Sequence, residues 1–134
     1  MRVFLDTNVL VSAHATRGLC QDVLRLILAE HTLLTAEVVL TEVERVLTKK
    51  FRVPVEAVQD VIDSLREEHV ELRPQSIGNL VVRDPDDAWV LASAIAAGAQ
   101  VLVTGDPDLL VLAGTIPELE IINPRGFWDL HRQP

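Results

Sequence analysis

Short apolar blocks alternate with segments of helical period along the chain, and several of the blocks end in an acidic turn. The first block, Val3-Phe4-Leu5, runs straight into Asp6-Thr7-Asn8. An apolar run of this length bounded by a turn predicts a buried parallel strand. Leu19, Val23, Leu26 and Ile27 then recur at helical spacing and predict an amphipathic helix over about residues 17–30. Thr32-Leu33-Leu34-Thr35 predicts a second strand, and Val39, Val43, Val46 and Leu47 mark the inner stripe of a second helix that carries Glu42 near its start.

Pro54 suits the first turn of a third helix, with Val55, Val58, Ile62 and Leu65 inward and acidic residues outside. That helix is expected to serve packing or partner contact. Val70-Glu71-Leu72-Arg73 predicts a further extended segment, and Pro74 through Asn79 a polar connection. Arg83-Asp84-Pro85-Asp86-Asp87 opens an alanine-rich helix from Ala88 to about Ala97, stopped by Gly98. Val101-Leu102-Val103-Thr104 is again a strand, delivering Gly105-Asp106. Pro107 to about Leu112 predicts a short helix, Leu119 to Ile122 the last strand, and Phe127 to His131 a terminal helical turn. Such alternation implies a parallel sheet of four to five strands with right-handed crossovers and helices on both faces.

The length of 134 residues fits one domain over 1–134. No apolar block approaches the ~18 uninterrupted positions of a membrane span. Arg2 and the apolar residues before Ala13-His14-Ala15 imitate a signal peptide, but Asp6 and Asn8 interrupt them, so no export signal is expected. The single cysteine, Cys20, cannot form an intramolecular disulfide and is expected to be a small core residue. A soluble protein of the reducing cytoplasm follows as the expectation.

A formal net charge of −8 argues against a protein that grips nucleic acid by bulk electrostatics. Two divalent cations gathered on carboxylates would take that to −4, with the change concentrated where a phosphate would sit. Positive charge is clustered at Arg45, Lys49, Lys50 and Arg52, which fits either a solvated helix end or a phosphate-binding patch. With no tyrosine and only Trp89, Trp128 and three phenylalanines, little base-stacking surface is expected.

In open parallel sheets ligands bind beyond the carboxyl ends of the strands, which makes Asp6 the first candidate for chemistry. Each acid also has a structural explanation. Asp84 followed by Pro85 is a good helix cap, Asp86 and Asp87 complement the helix dipole, and Asp106-Pro107-Asp108 repeats the pattern. Glu42 lies one helical turn from Arg45 and can simply pair with it. Together, carboxylates brought from separate elements to one sheet rim repel each other, and a divalent cation makes that arrangement tolerable. All-oxygen ligands suit Mg²⁺ or Mn²⁺. His14, His31, His69 and His131 lack metal-ligand spacing, and there is no glycine-rich phosphate loop or serine nucleophile elbow.

Phe4-Leu5-Asp6-Thr7-Asn8-Val9-Leu10, Glu42, Asp84-Pro85-Asp86-Asp87 and Val103-Thr104-Gly105-Asp106-Pro107-Asp108-Leu109-Leu110 stand in the order found in the PIN-domain ribonucleases. The chain resembles in particular the small prokaryotic, VapC-like PIN proteins of toxin–antitoxin pairs. That resemblance implies a PIN-like three-layer α/β/α sandwich and Mg²⁺- or Mn²⁺-dependent endonucleolytic cleavage of RNA, with no protein nucleophile. It implies an acidic site of Asp6, Glu42, Asp87 and Asp106, with Asp108 as an outer member and Thr7, Asn8 and Thr104 in support. Asp84 or Asp86 could stand in the place given to Asp87. Arg45, Lys49, Lys50 and Arg52 are then the candidate RNA phosphate contacts, and a homodimer and an antitoxin protein are the partners implied. Two other readings compete. A phosphatase of the haloacid-dehalogenase type also carries an aspartate after strand one, but pairs it with another where this chain has Asn8. A non-catalytic PIN-like module that binds RNA or protein would keep the fold and lack the hydrolysis.

Overall fold

The computed structural model describes residues 1–132, and strand β1 (Arg2–Leu5) lies at the middle of its sheet. Val3, Phe4 and Leu5 are completely buried, so a run apolar on both faces of the strand needs neighbours on every side. It has them: Val3 pairs with Leu33 on one side and Val101 on the other. The five strands follow the order β3-β2-β1-β4-β5, and every pairing is parallel.

Helix α1 (Thr7–Ala15) follows β1 immediately and departs from the sequence expectation, which placed no helix before residue 17. Its buried residues, Val9, Leu10, Val11 and Ala13, lie on several faces because the helix packs against two others, so no amphipathic stripe betrays it. The available signal was Asp6, whose side chain caps the helix by accepting the Thr7 N–H. Helix α2 (Leu19–Glu30) starts after Gly18, and β2 (Thr32–Ala36) leads directly into α3 (Glu37–Lys49). Helix α4 (Val55–Arg66) buries Val58, Ile62 and Leu65, but Pro54 sits at its cap rather than inside its first turn. Val55, expected inward, is among the most exposed apolar residues.

The short edge strand β3 (His69–Glu71) is followed by a long connection to α5 (Pro85–Ala96). Helix α5 buries Ala88, Val90, Leu91, Ala92, Ser93 and Ala94, a wide inner face that small side chains permit. Strand β4 (Val101–Val103), the single turn α6 (Pro107–Leu110), β5 (Glu120–Ile122) and α7 (Pro124–His131) complete the chain. Helices α5, α6 and α7 all open on the same device, an Asx side chain accepting a backbone N–H with proline at the next position. Gly126 in α7 has its own reason: a Cβ there would meet Ile122 Cγ1 at 2.8 Å, so the helix folds back on β5 only without a side chain.

The chain runs from β1 outward through β2 to β3, then returns to β4 and runs outward in the opposite direction to β5. Right-handed crossovers in opposite directions lay helices on opposite faces, which gives the three-layer α/β/α arrangement. The order reverses between β1 and β4, and the crevice beyond their carboxyl ends is where such sheets bind ligands. Asp6 and Thr104 are the residues that leave those two strands.

Candidate metal and nucleic-acid site

The two strand ends at the switch point are joined by side chains. Asp6 is 5% exposed, and its carboxylate accepts the Thr104 hydroxyl on Oδ2 at 2.6 Å and the Thr7 N–H on Oδ1 at 2.8 Å. The Thr104 oxygen accepts the Asp106 N–H at 3.0 Å, so its own proton is committed to Asp6. Burial holds the Asp6 carboxyl above its ordinary pKa; the bonds from Thr104 and Thr7 pull it back, and the charges of Asp106 and Glu42 add to the rise.

Asp106 caps α6 by accepting the Asp108 N–H on Oδ1 at 2.9 Å. Asp87, in the first turn of α5, faces it. Oxygens of Asp87, Asp106 and Asp108 lie within 4.8 Å of one another, and Asp87 Oδ2 is buried with no hydrogen-bond partner among the described residues. Two ionised carboxylates offer each other no donor, so a proton is favoured between them. Burial, the hydrogen bond that a protonated Asp87 can give Asp106, and the charges of Asp106, Asp6 and Asp84 together push Asp87 up to about 7. A buried carboxylate oxygen without a donor, among acids that raise one another's pKa, is what a hard divalent cation relieves, and the donor set is entirely oxygen.

Asp6, Glu42, Asp87 and Asp106 all line one open cleft of about 750 Å³ between α1, α3 and the start of α5. Asp84 and Asp86 line it too, but Asp84 spends Oδ1 on the Asp86 N–H at the head of α5. Asp108 belongs to the acidic cluster without lining the cleft. Thr7 supports Asp6 through its backbone N–H; its hydroxyl is buried without a partner among the described residues. Asn8 reaches across to the β4 exit, where its Oδ1 lies 3.5 Å from the Gly105 nitrogen that donates to it.

Of the four clustered cations, Arg45, Lys49 and Lys50 line the cleft and Arg52 does not. Arg52 takes the left-handed backbone conformation, with φ of 53°, in the connection after α3. Arg45 donates to both oxygens of Glu42, at 2.5 and 3.4 Å, which makes the surface pair real while both residues still border the cleft. The cleft is also lined by residues that no sequence motif singled out. The Arg73 guanidinium lies 4.1 Å from the ring centre of Trp89, and Phe51, 42% exposed, lies beside Lys49 and Lys50. Two of the five aromatic residues therefore border the acids, contrary to the expectation from composition. The available signal was Trp89 itself, two positions after Asp87 on a helix whose start enters the site.

Comparison with known proteins agrees with this fold. The family model of the PIN domain matches residues 2–108. No curated protein matches the chain. Among solved structures, VapBC2 from Rickettsia felis bound to a DNA fragment from their promoter is similar with a TM-score of 0.67 and 21% identity, over 92% of this chain and 98% of that one. A toxin–antitoxin complex from Klebsiella pneumoniae has a TM-score of 0.59 and 22% identity, over 87% and 94%. VapC20 from Mycobacterium tuberculosis, a sarcin–ricin loop cleaving toxin, has 0.58 and 18%, over 79% and 91%. At these identities the likeness is one of fold.

Proposed function

This chain belongs to the PIN-domain family, whose model covers residues 2–108, and from that premise we propose that it is a divalent-metal-dependent endoribonuclease acting as the toxin of a toxin–antitoxin pair. The observation that carries the chemistry is the meeting of Asp6, Asp87, Asp106 and Glu42 in one cleft, with a buried Asp87 oxygen left unpartnered. Asp6, Asp87 and Asp106 would hold Mg²⁺ or Mn²⁺, with Glu42 beside them and Asp108 supporting from outside the cleft. A cation bound there supplies Lewis acidity and neutralises charge on a phosphodiester and its leaving oxygen.

The protein's own groups do the rest. Thr104 and Thr7 fix Asp6 in one rotamer and keep its charge tolerable in a buried position. The Thr104 oxygen also ties the Asp106 backbone to Asp6, so two acids from distant parts of the chain hold one spacing. Lys49, Lys50 and Arg45 give the acidic cleft a basic border that receives the phosphates of the RNA on either side of the bond to be cut. Asp87, whose pKa is raised, would give up its proton on holding the cation, so metal binding there would be favoured by rising pH.

The toxin role is supported by the toxin–antitoxin complexes among the similar folds, which favour an antitoxin protein as partner; a second copy of the chain is proposed beside it. A single domain over 1–134 and a cytoplasmic location are part of the same proposal; among the described residues no helix is long and apolar enough to cross a membrane.

The direct test is purified protein on a panel of structured and single-stranded RNAs with Mn²⁺, Mg²⁺ or EDTA, beside the Asp6→Asn variant. Cleavage that requires metal and vanishes in a folded variant is the expected result. Manganese binding that is lost in the variant while no RNA is cut by the wild type would leave the metal site and remove the nuclease, favouring a binding module.

A further inference from the structure

The wall formed by Arg73 and Trp89 is not used by metal or phosphodiester chemistry, yet it borders the same cleft as Asp6, Asp87 and Asp106. Trp89 sits on α5 within the turn that carries Asp87, so its position is tied to the acids by helix geometry. Arg73 comes from the connection after β3 and places its guanidinium carbon 4.1 Å above the indole centre. At that distance the guanidinium stacks on the ring as a cation–π pair. Trp89 is the half-buried member and Arg73 the exposed one, so the pair turns its cationic side to solvent. Among the described residues Arg73 also makes no ion pair, although carboxylates of Asp84, Asp86 and Asp87 border the same cleft.

A planar cation held on an aromatic ring is a stacking surface for a nucleobase, because every base has a π-face and the guanidinium plane accepts it. Lys49 and Lys50, which also line the cleft, are point charges suited to phosphates and offer no plane. The cleft thus carries both phosphate-binding charges and a stacking surface beside its acids. A base can lie on that surface only when it is out of a duplex stack.

We propose that Arg73, backed by Trp89, is a stacking platform for an unpaired base next to the scissile phosphodiester. This rests on the endoribonuclease function proposed above and adds the residues that hold a base beside the cut. Arg73 and Trp89 act as specificity-determining residues.

The test measures kcat/KM with Mn²⁺ on one labelled oligoribonucleotide as a single strand, on the same strand annealed to its complement, and on a series carrying one abasic position at a time. Wild type, Arg73→Ala, Arg73→Lys and Trp89→Phe are compared, with circular dichroism and Tm to show that each is folded. The expected wild-type result is a strong preference for the single strand and a roughly tenfold loss at one abasic position near the cut. Arg73→Ala and Arg73→Lys should lower the rate on the intact strand and erase that abasic penalty. Trp89→Phe, which keeps a ring behind the guanidinium, should retain most of it. If Arg73 merely ties the 72–84 connection to α5 or meets a phosphate, its variants slow every substrate alike and the abasic penalty persists, which overturns the platform. Metal-dependent cleavage by the wild type that ignores abasic positions, or that cuts duplex equally well, overturns the platform and leaves the nuclease standing. Absence of cleavage on every substrate removes both.

Discussion

Thr104 donates its hydroxyl to Asp6 across 98 residues of sequence at 2.6 Å, and both side chains are buried. This bond joins the ends of the two central strands, and among the described residues Thr104 is the only side-chain donor to Asp6. Thr104→Val keeps the shape and removes the donor. We expect a stability loss of about 1–3 kcal/mol at neutral pH, the cost of leaving a buried acceptor unmet. Asp6 already titrates above 3.8 because of burial, and losing the bond raises it further. The destabilisation should therefore shrink as pH falls toward 4 and the carboxyl becomes neutral. Urea titrations at pH 4.5 and 7.5 check both points; equal losses at the two pH values would show that the bond does not serve the charge.

Asp87 sets the pH behaviour of the metal-free protein. Its folded pKa is about 7, against 3.8 for the free side chain. The folded state therefore binds the extra proton between those values, and stability falls as pH rises through that window and levels off above it. In EDTA, Asp87→Asn should be little different from wild type near pH 4 and increasingly more heat-stable up to about pH 8. A Tm difference that is constant with pH would contradict the assignment.

Metal should reverse that cost. Wild type at pH 7.5 should gain Tm on adding Mn²⁺, by about 2.7 kcal/mol of stability at a hundredfold excess over Kd. Asp87→Asn and Asp6→Asn should lose most of the gain, whereas Asp84→Asn should keep it, since asparagine still caps α5. A lost response in Asp84→Asn with a retained one in Asp87→Asn would exchange the roles of the two aspartates.

Among the described residues Arg45 bonds to Glu42 alone, and both are largely exposed, so solvent screens the pair and it adds little to the stability of the fold. Arg45→Ala should leave Tm nearly unchanged. RNA binding should weaken across sequences, and the slope of log K against log salt should become shallower by about one. An unchanged salt slope would mean that Arg45 serves Glu42 alone.

Most strands and amphipathic helices were legible in the chain because burial on one or both faces imposes a period that propensity and turn residues reinforce. Asp84-Pro85 and Asp106-Pro107 announced helix starts for the same local reason, since a cap acts over three residues. Helix α1 was not legible, because a helix packed on several sides loses the stripe that identifies it. The aromatic wall escaped for a different reason: composition counts Trp89 and Phe51 but cannot say that both border the acids.

The sequence by itself determined the alternation of elements, the parallel sheet and the four acidic segments, all consequences of local periodicity and capping. Tertiary structure alone decided what those segments do together. It reversed the strand order between β1 and β4, and so brought Asp6 to Thr104 and Asp106. It left Asp87 Oδ2 buried without a donor, kept Arg52 out of the cleft and laid Arg73 on Trp89. These are relations between residues far apart in the chain, set by how whole elements pack, and no window of neighbouring residues contains them.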